Sequence, residues 1–174
     1  MNNGYVKTKL HRSSLKPSIR KTSRILELVH THICGPVIPA TSSGYRYVMI
    51  MSDDCSGFTK LYLLRDKSET TKKREEYLAE KKSQFDREPE VMRTDKAERY
   101  SQTLITKTRC MLNDANLGKE FWGEAIMTAN YQLNREPDKV SNRTPFEMWY
   151  DTRPKFSDLS VFGSVAMLRV PCGG

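Results

Sequence analysis

Short apolar blocks separated by polar turns fill the first third of the chain, and from residue 68 onward the apolar spacing lengthens to that of helices. Ile25-Leu26-Glu27-Leu28-Val29-His30-Thr31-His32-Ile33-Cys34 predicts a strand, closed by the breaker pair Gly35-Pro36. Tyr45-Arg46-Tyr47-Val48-Met49-Ile50-Met51 and Phe58-Thr59-Lys60-Leu61-Tyr62-Leu63-Leu64 predict two more. Ser52-Asp53-Asp54-Cys55-Ser56-Gly57 between them has turn composition, so the three strands read as an antiparallel meander. Residues 68–85 predict a charged helix whose apolar positions, Tyr77, Leu78 and Phe85, form one narrow stripe. Pro89 separates it from a short strand over 90–94. A second helix is expected over 97–113, with Leu104, Thr108, Met111 and Leu112 on one face. A third starts near Lys119, where Phe121, Trp122, Ala125, Ile126, Ala129 and Leu133 recur at helical spacing, and Pro137 stops it. Thr144 as N-cap and Pro145 as first residue predict a short helix, and residues 161–170 a last strand interrupted by Gly163. The pattern is α/β, one mixed sheet covered by helices.

Composition narrows the possibilities. The 174 residues, 37% of them hydrophobic, suit one domain with a thin core. Against 21 acidic residues stand 29 Lys and Arg, a net charge of +8, which fits either a polyanionic partner or simple solubility. Residues 1–24 hold Lys7, Lys9, Arg12, Lys16, Arg20, Lys21 and Arg24 and no acid, a basic arm able to grip phosphates or to stay solvated. Cys34, Cys55, Cys110 and Cys172 form no Cys-x-x-Cys pair, so zinc-ligand spacing is absent. Without a recognisable secretory leader, reduced thiols in an intracellular protein, nuclear or cytoplasmic and not secreted, are expected. No apolar run nears the ~20 residues of a spanning helix, so no membrane partner is expected; no small-molecule substrate is expected either.

Several motifs, taken in order, resemble the integrase core of copia-type retrotransposons, within the retroviral integrase superfamily and its ribonuclease-H-like fold. Residues 26–36 look like the family's first core strand. Tyr45-Arg46-Tyr47 and Ser52-Asp53-Asp54-Cys55-Ser56-Gly57-Phe58-Thr59 resemble its second and third strands with their double-Asp turn. Val91-Met92-Arg93-Thr94-Asp95 resembles the strand bearing the second catalytic acid, and Ala97-Glu98-Arg99 the start of the helix bearing the third. Arg109-Cys110-Met111-Leu112-Asn113-Asp114-Ala115-Asn116-Leu117, Phe121-Trp122-Gly123-Glu124-Ala125, Asn130-Tyr131, Asn134-Arg135, Thr144-Pro145-Phe146-Glu147-Met148-Trp149-Tyr150 and Leu159-Ser160-Val161-Phe162-Gly163 continue the match over roughly residues 24–171. By this resemblance residues 1–24 are a remnant of the region after a zinc-binding domain, 25–135 a degenerate core, and 136–174 its C-terminal extension.

The resemblance implies DNA integration by metal-dependent polynucleotidyl transfer, DNA as partner, a homo-oligomer as a compatible assembly, and Mg²⁺ or Mn²⁺ as cofactor. Two metals would activate the attacking oxygen and stabilise the leaving one, held by three carboxylates. The matching positions are His32, Asp95 and Glu98, with Asp95 and Glu98 as the remaining metal ligands. His32 replaces the first Asp, and imidazole supplies neither a hard oxygen nor a negative charge. Only Lys96 and Ala97 separate Asp95 from Glu98, where the family has several tens of residues that include a further core strand. The expected fold is thus a ribonuclease-H-like sheet truncated by loss of a central segment. The expected protein is a pseudoenzyme without functional metal; the alternatives are a domesticated interaction module and a non-functional transposon remnant. His30 and His32 share a strand face and could form half of a zinc or nickel site, but two polar residues at a strand end is the simpler reading. Asp53 and Asp54 suit a turn, and Trp122, Trp149 and Phe162 suit core anchors. Lys107 and Arg109, on the Glu98 helix, are phosphate-contact candidates alongside Lys7, Lys9 and Arg12, with solvated helix charge as the competing reading.

Overall fold

The computed structural model describes residues 22–94, 98–138, 141–156 and 160–164, with Glu98 and Arg99 described at the backbone only. Strands β1 (Leu28–Cys34), β2 (Tyr47–Asp53) and β3 (Thr59–Leu64) come first. A 3-10 turn at Lys67–Glu69 leads into helix α1 (Thr70–Phe85), followed by β4 (Val91–Arg93) and α2 (Glu98–Asp114). A second 3-10 turn, Lys119–Phe121, leads into α3 (Trp122–Leu133), and α4 (Pro145–Tyr150) follows. The strands form one sheet in the order β3-β2-β1-β4. β1 and β2, and β2 and β3, pair antiparallel, whereas β4 pairs parallel to β1, with Leu28 opposite Val91 and His30 opposite Arg93. The meander and the mixed sheet are therefore as the pattern predicts.

Strand alternation divides the apolar residues between two faces. On one, Val48, Ile50 and Leu61 pack against Leu104 and Leu112 of α2 and Trp122, Ala125, Ile126 and Ala129 of α3. The Trp122 indole N–H donates to Pro39 O at 3.0 Å, so this anchor is fixed at both its apolar and its polar end. On the other face, Val29, Met49, Met51 and Leu64 pack against Tyr77 of α1 and Trp149 of α4. Trp149 stacks on Phe58 at 5.1 Å between centroids and meets Phe85 edge-on at 5.0 Å, tying α4 to β3 and to the end of α1. Thr144 caps α4 as expected: its hydroxyl accepts from Glu147 N at 3.0 Å while the Glu147 carboxylate accepts from Thr144 N at 2.8 Å.

Three expectations are revised. The predicted last strand over 161–170 begins instead as a turn: Gly163 has φ +81°, and a Cβ there would come within 2.5 Å of the Ala115 Cβ, so close packing on the end of α2 sets the backbone. The remainder of that predicted strand, 165–170, lies outside the described residues. β1 starts later than predicted because Leu26 adopts φ +64° to enter the core. The stripe of α1 is not purely apolar, since Lys81 is buried with only 1% of its surface exposed. The proposed division of the chain is not addressed for its N-terminal arm, of which residues 1–21 lie outside the described residues.

Candidate metal centre and nucleic-acid interface

His30, His32 and Cys34 alternate onto the sheet face covered by α2 and α3, with His32 opposite Ile50 and Cys34 opposite Val48. The same face receives the first turns of α2: the Cys34 thiol is hydrogen-bonded to the Ser101 side chain. Burial pushes the Cys34 thiol up from its ordinary pKa, with the Ser101 bond acting against that rise. Glu98, the first residue of α2, stands about one helical turn before Ser101. The fold therefore brings the strand of His32 and the helix of Glu98 to one side of the sheet. The second candidate ligand, Asp95, lies outside the described residues; Thr94, the residue before it, follows directly on β4. His32 is half-buried and, with Thr94, borders a cavity of about 310 Å³ also lined by Ile33, Met49, Met92 and Arg74.

Asp54, a described carboxylate in contact with β1, is already engaged. Its Oδ1 lies 3.0 Å from His30 Nε2 with both side chains buried, and its Oδ2 accepts from Thr22 Oγ1 at 3.0 Å and Thr22 N at 3.3 Å. His30 is thus spent on an internal pair rather than joined to His32 as half of a metal site. Asp53 is likewise structural: its carboxylate accepts from Leu26 N at 2.8 Å and from the Ser56 N and Oγ, each at 2.7 Å. The turn role expected of Asp53 holds, and it extends to the entry of β1. Among the described residues no group of three or more His, Cys, Asp or Glu is placed to hold a metal ion. Magnesium needs hard oxygen donors, and His32 presents an imidazole at the β1 position. The described residues do not fit a magnesium pair there.

The proposed phosphate contacts fare unequally. Lys7, Lys9 and Arg12 lie outside the described residues. Lys107 is half-buried and ion-paired with Glu136 across the α2–α3 junction. Arg109 is exposed on α2 and forms no ion pair among the described residues. Part of the remaining basic charge is compensated by the pairs Arg24–Glu90, Lys60–Glu80, Lys73–Glu76 and Lys82–Glu88. Two features of the site escaped the sequence reading. The Asp54–His30 pair is signalled in the sequence only by the double Asp, and nothing local distinguishes Arg74, at the rim of the cavity that His32 borders, from the other charges of α1.

No protein-family model matches the chain. In sequence it is 28% identical over 197 residues to a retrovirus-related Pol polyprotein from transposon TNT 1-94 of Nicotiana tabacum, a match that takes in 94% of this chain and 15% of the polyprotein. That match is longer than the 174 residues of the whole chain, so the polyprotein carries residues with no counterpart here. An uncharacterised mitochondrial protein of Arabidopsis thaliana is 36% identical over 70 residues, covering 40% of this chain and 58% of that protein. The chain thus spans less than two thirds of each relative. In fold it is similar to the HTLV-2 integrase catalytic core domain solved with magnesium in a trimeric form, with a TM-score of 0.50 and 14% identity over 70% of this chain and 95% of that one. It is also similar to a chain of the simian T-cell lymphotropic virus intasome complexed with a PP2A regulatory subunit, with a TM-score of 0.57 and 13% identity over 88% of this chain and 69% of that one. The protein is therefore homologous to a retrotransposon Pol polyprotein along nearly its whole length, and its α/β fold is that of the retroviral integrase catalytic core.

Proposed function

We propose that this chain is a degenerate integrase core that performs no strand transfer and keeps at most weak, non-specific binding to nucleic acid. The reading rests on His32: the resemblance matches this position to the family's first catalytic Asp, and in the structure it is a half-buried imidazole on β1. Losing that bridging carboxylate removes the negative charge and the oxygen donor that two adjacent Mg²⁺ ions require. The match to the tobacco polyprotein spans more residues than this chain contributes, which is compatible with a shortened core. Nucleic-acid binding would rest on the basic arm and on Arg109, through phosphate contacts without base readout. Binding of a labelled DNA duplex across a salt series tests it. Affinity should fall steeply and similarly for unrelated sequences; a salt-independent or sequence-selective interaction contradicts the reading.

A second reading, a domesticated protein-interaction module, draws on α3 and the turn before it, where Phe121, Met127 and Tyr131 are exposed while the opposite side of the helix is core. The same salt series separates the two, since an apolar contact responds far less to ionic strength than phosphate binding does.

A further inference from the structure

β4 is the terminal strand of the sheet among the described residues. Glu90 N donates to Leu26 O at 2.9 Å, and alternate residues of a strand present their backbone groups to opposite edges. Met92 therefore also addresses β1, which leaves the N–H and C=O of Val91 and Arg93 directed away from the sheet. The side chains at this edge are unusual for an exposed strand. Val91 is 44% exposed, and the 310 Å³ cavity lies against Met92, Met49 and Ile33 on the α1 side. Charge adds a direction: among the described residues Arg93 and Arg74 form no ion pair, whereas Glu90, the described acid next to the strand, pairs with Arg24 at 3.1 Å.

We propose that the outer edge of β4 accepts an extended peptide strand that alternates apolar and acidic residues. Backbone pairing to Val91 and Arg93 supplies the docking. Apolar side chains of the added strand fall on the face of Met92 and fill the cavity, while its acidic side chains fall on the face of Arg93. Arg74, at the cavity rim, favours one further carboxylate. A sheet edge with apolar depth on one face and unpaired guanidinium on the other selects this partner over a basic or wholly apolar one. The proposal does not depend on the nucleic-acid reading above.

Fluorescence anisotropy of a labelled Glu-Val-Glu-Val-Glu-Val-Glu peptide with the full chain tests it, with Lys-Val-Lys-Val-Lys-Val-Lys as the comparison probe. Val91→Pro removes an outward N–H and leaves the bonds to β1, and Arg93→Glu reverses the charge of an exposed side chain. The acidic probe should bind at least about tenfold more tightly than the basic one, Val91→Pro should weaken it by about tenfold, and Arg93→Glu should invert the preference. Equal binding of both probes, no binding, or binding unchanged in Arg93→Glu overturns the proposal. So does concentration-dependent self-association that Val91→Pro abolishes while no probe binds, which would make a second copy the occupant. If Val91→Pro does not melt cooperatively, the charge inversion alone decides.

Discussion

Lys81 occupies a place where a methionine would be unremarkable. Its ammonium bonds the Glu80 carboxylate at 2.9 Å and the Gln84 amide oxygen at 3.1 Å, and lies 5.2 Å and 5.1 Å from the Tyr77 and Trp149 ring centroids. Burial holds its pKa below the ordinary lysine value, with the Glu80 bond opposing that shift. Removing the stem uncovers both rings, so Lys81→Ala should cost about 2–4 kcal/mol in chemical denaturation, whereas Lys81→Met, which keeps volume and drops the charge, should cost less than ~1.5 kcal/mol. An equal loss in both variants would assign the stability to the charge and not to the packing. Glu80 gives a pH signature. Burial acts to raise its pKa, but hydrogen bonds from Lys60 and Lys81 prevail and hold it below the ordinary 4.5. The folded state thus binds this proton less readily than the unfolded chain. The stabilisation is present above that value and is lost as pH falls below 4.5 through the folded pKa. Glu80→Gln should flatten the acid limb of a thermal-stability profile; an unchanged limb would assign acid lability to other carboxylates. None of this is visible locally: the sequence around Lys81 reads as solvated helix, and its burial depends on Trp149 from a distant helix.

At the scale of elements, α3 is joined to β3 by side-chain amides rather than by apolar contact alone. Asn134 Oδ1 accepts from Thr59 N at 2.9 Å, Asn134 Nδ2 and Asn130 Nδ2 donate to Thr59 O at 2.8 and 3.1 Å, and Tyr100 OH donates to Asn130 Oδ1 at 2.7 Å. Replacing Asn134 by Ala leaves the buried Thr59 N–H without its acceptor, for a cost of about 1–3 kcal/mol by denaturant titration. A loss within the ±0.5 kcal/mol of ordinary surface substitutions would mean that water replaces the amide. The helical periodicity of residues 119–133 and the polar turn at 52–57 made α3 and the β2–β3 connection legible from the sequence alone. The amide tie was not, because Asn at helix spacing looks like a solvated residue until β3 is beside it. The turn at the start of the apolar run from Val161 was not legible for the converse reason: nothing local marks the approach of Gly163 to Ala115.

Over the whole molecule, both apolar clusters share one sheet, so the described core should unfold in a single cooperative transition. Calorimetric and van't Hoff enthalpies that agree would bear this out; two separated transitions would show that α1 with α4 and α2 with α3 cover the sheet independently. The fold was legible because strand alternation, turn chemistry and the order of motifs all agree. The site was legible only in part. His32 could be placed on its strand by motif, but the pairing of His30 with Asp54, and the short β4 that ends the sheet among the described residues, belong to tertiary structure. The central claim, an integrase fold without integrase chemistry, is tested most directly by a strand-transfer assay on the full chain, with labelled donor DNA and either Mg²⁺ or Mn²⁺, run beside Glu98→Ala. The account predicts no product above the Glu98→Ala background with either metal; transfer by the unaltered chain that Glu98→Ala abolishes would contradict it.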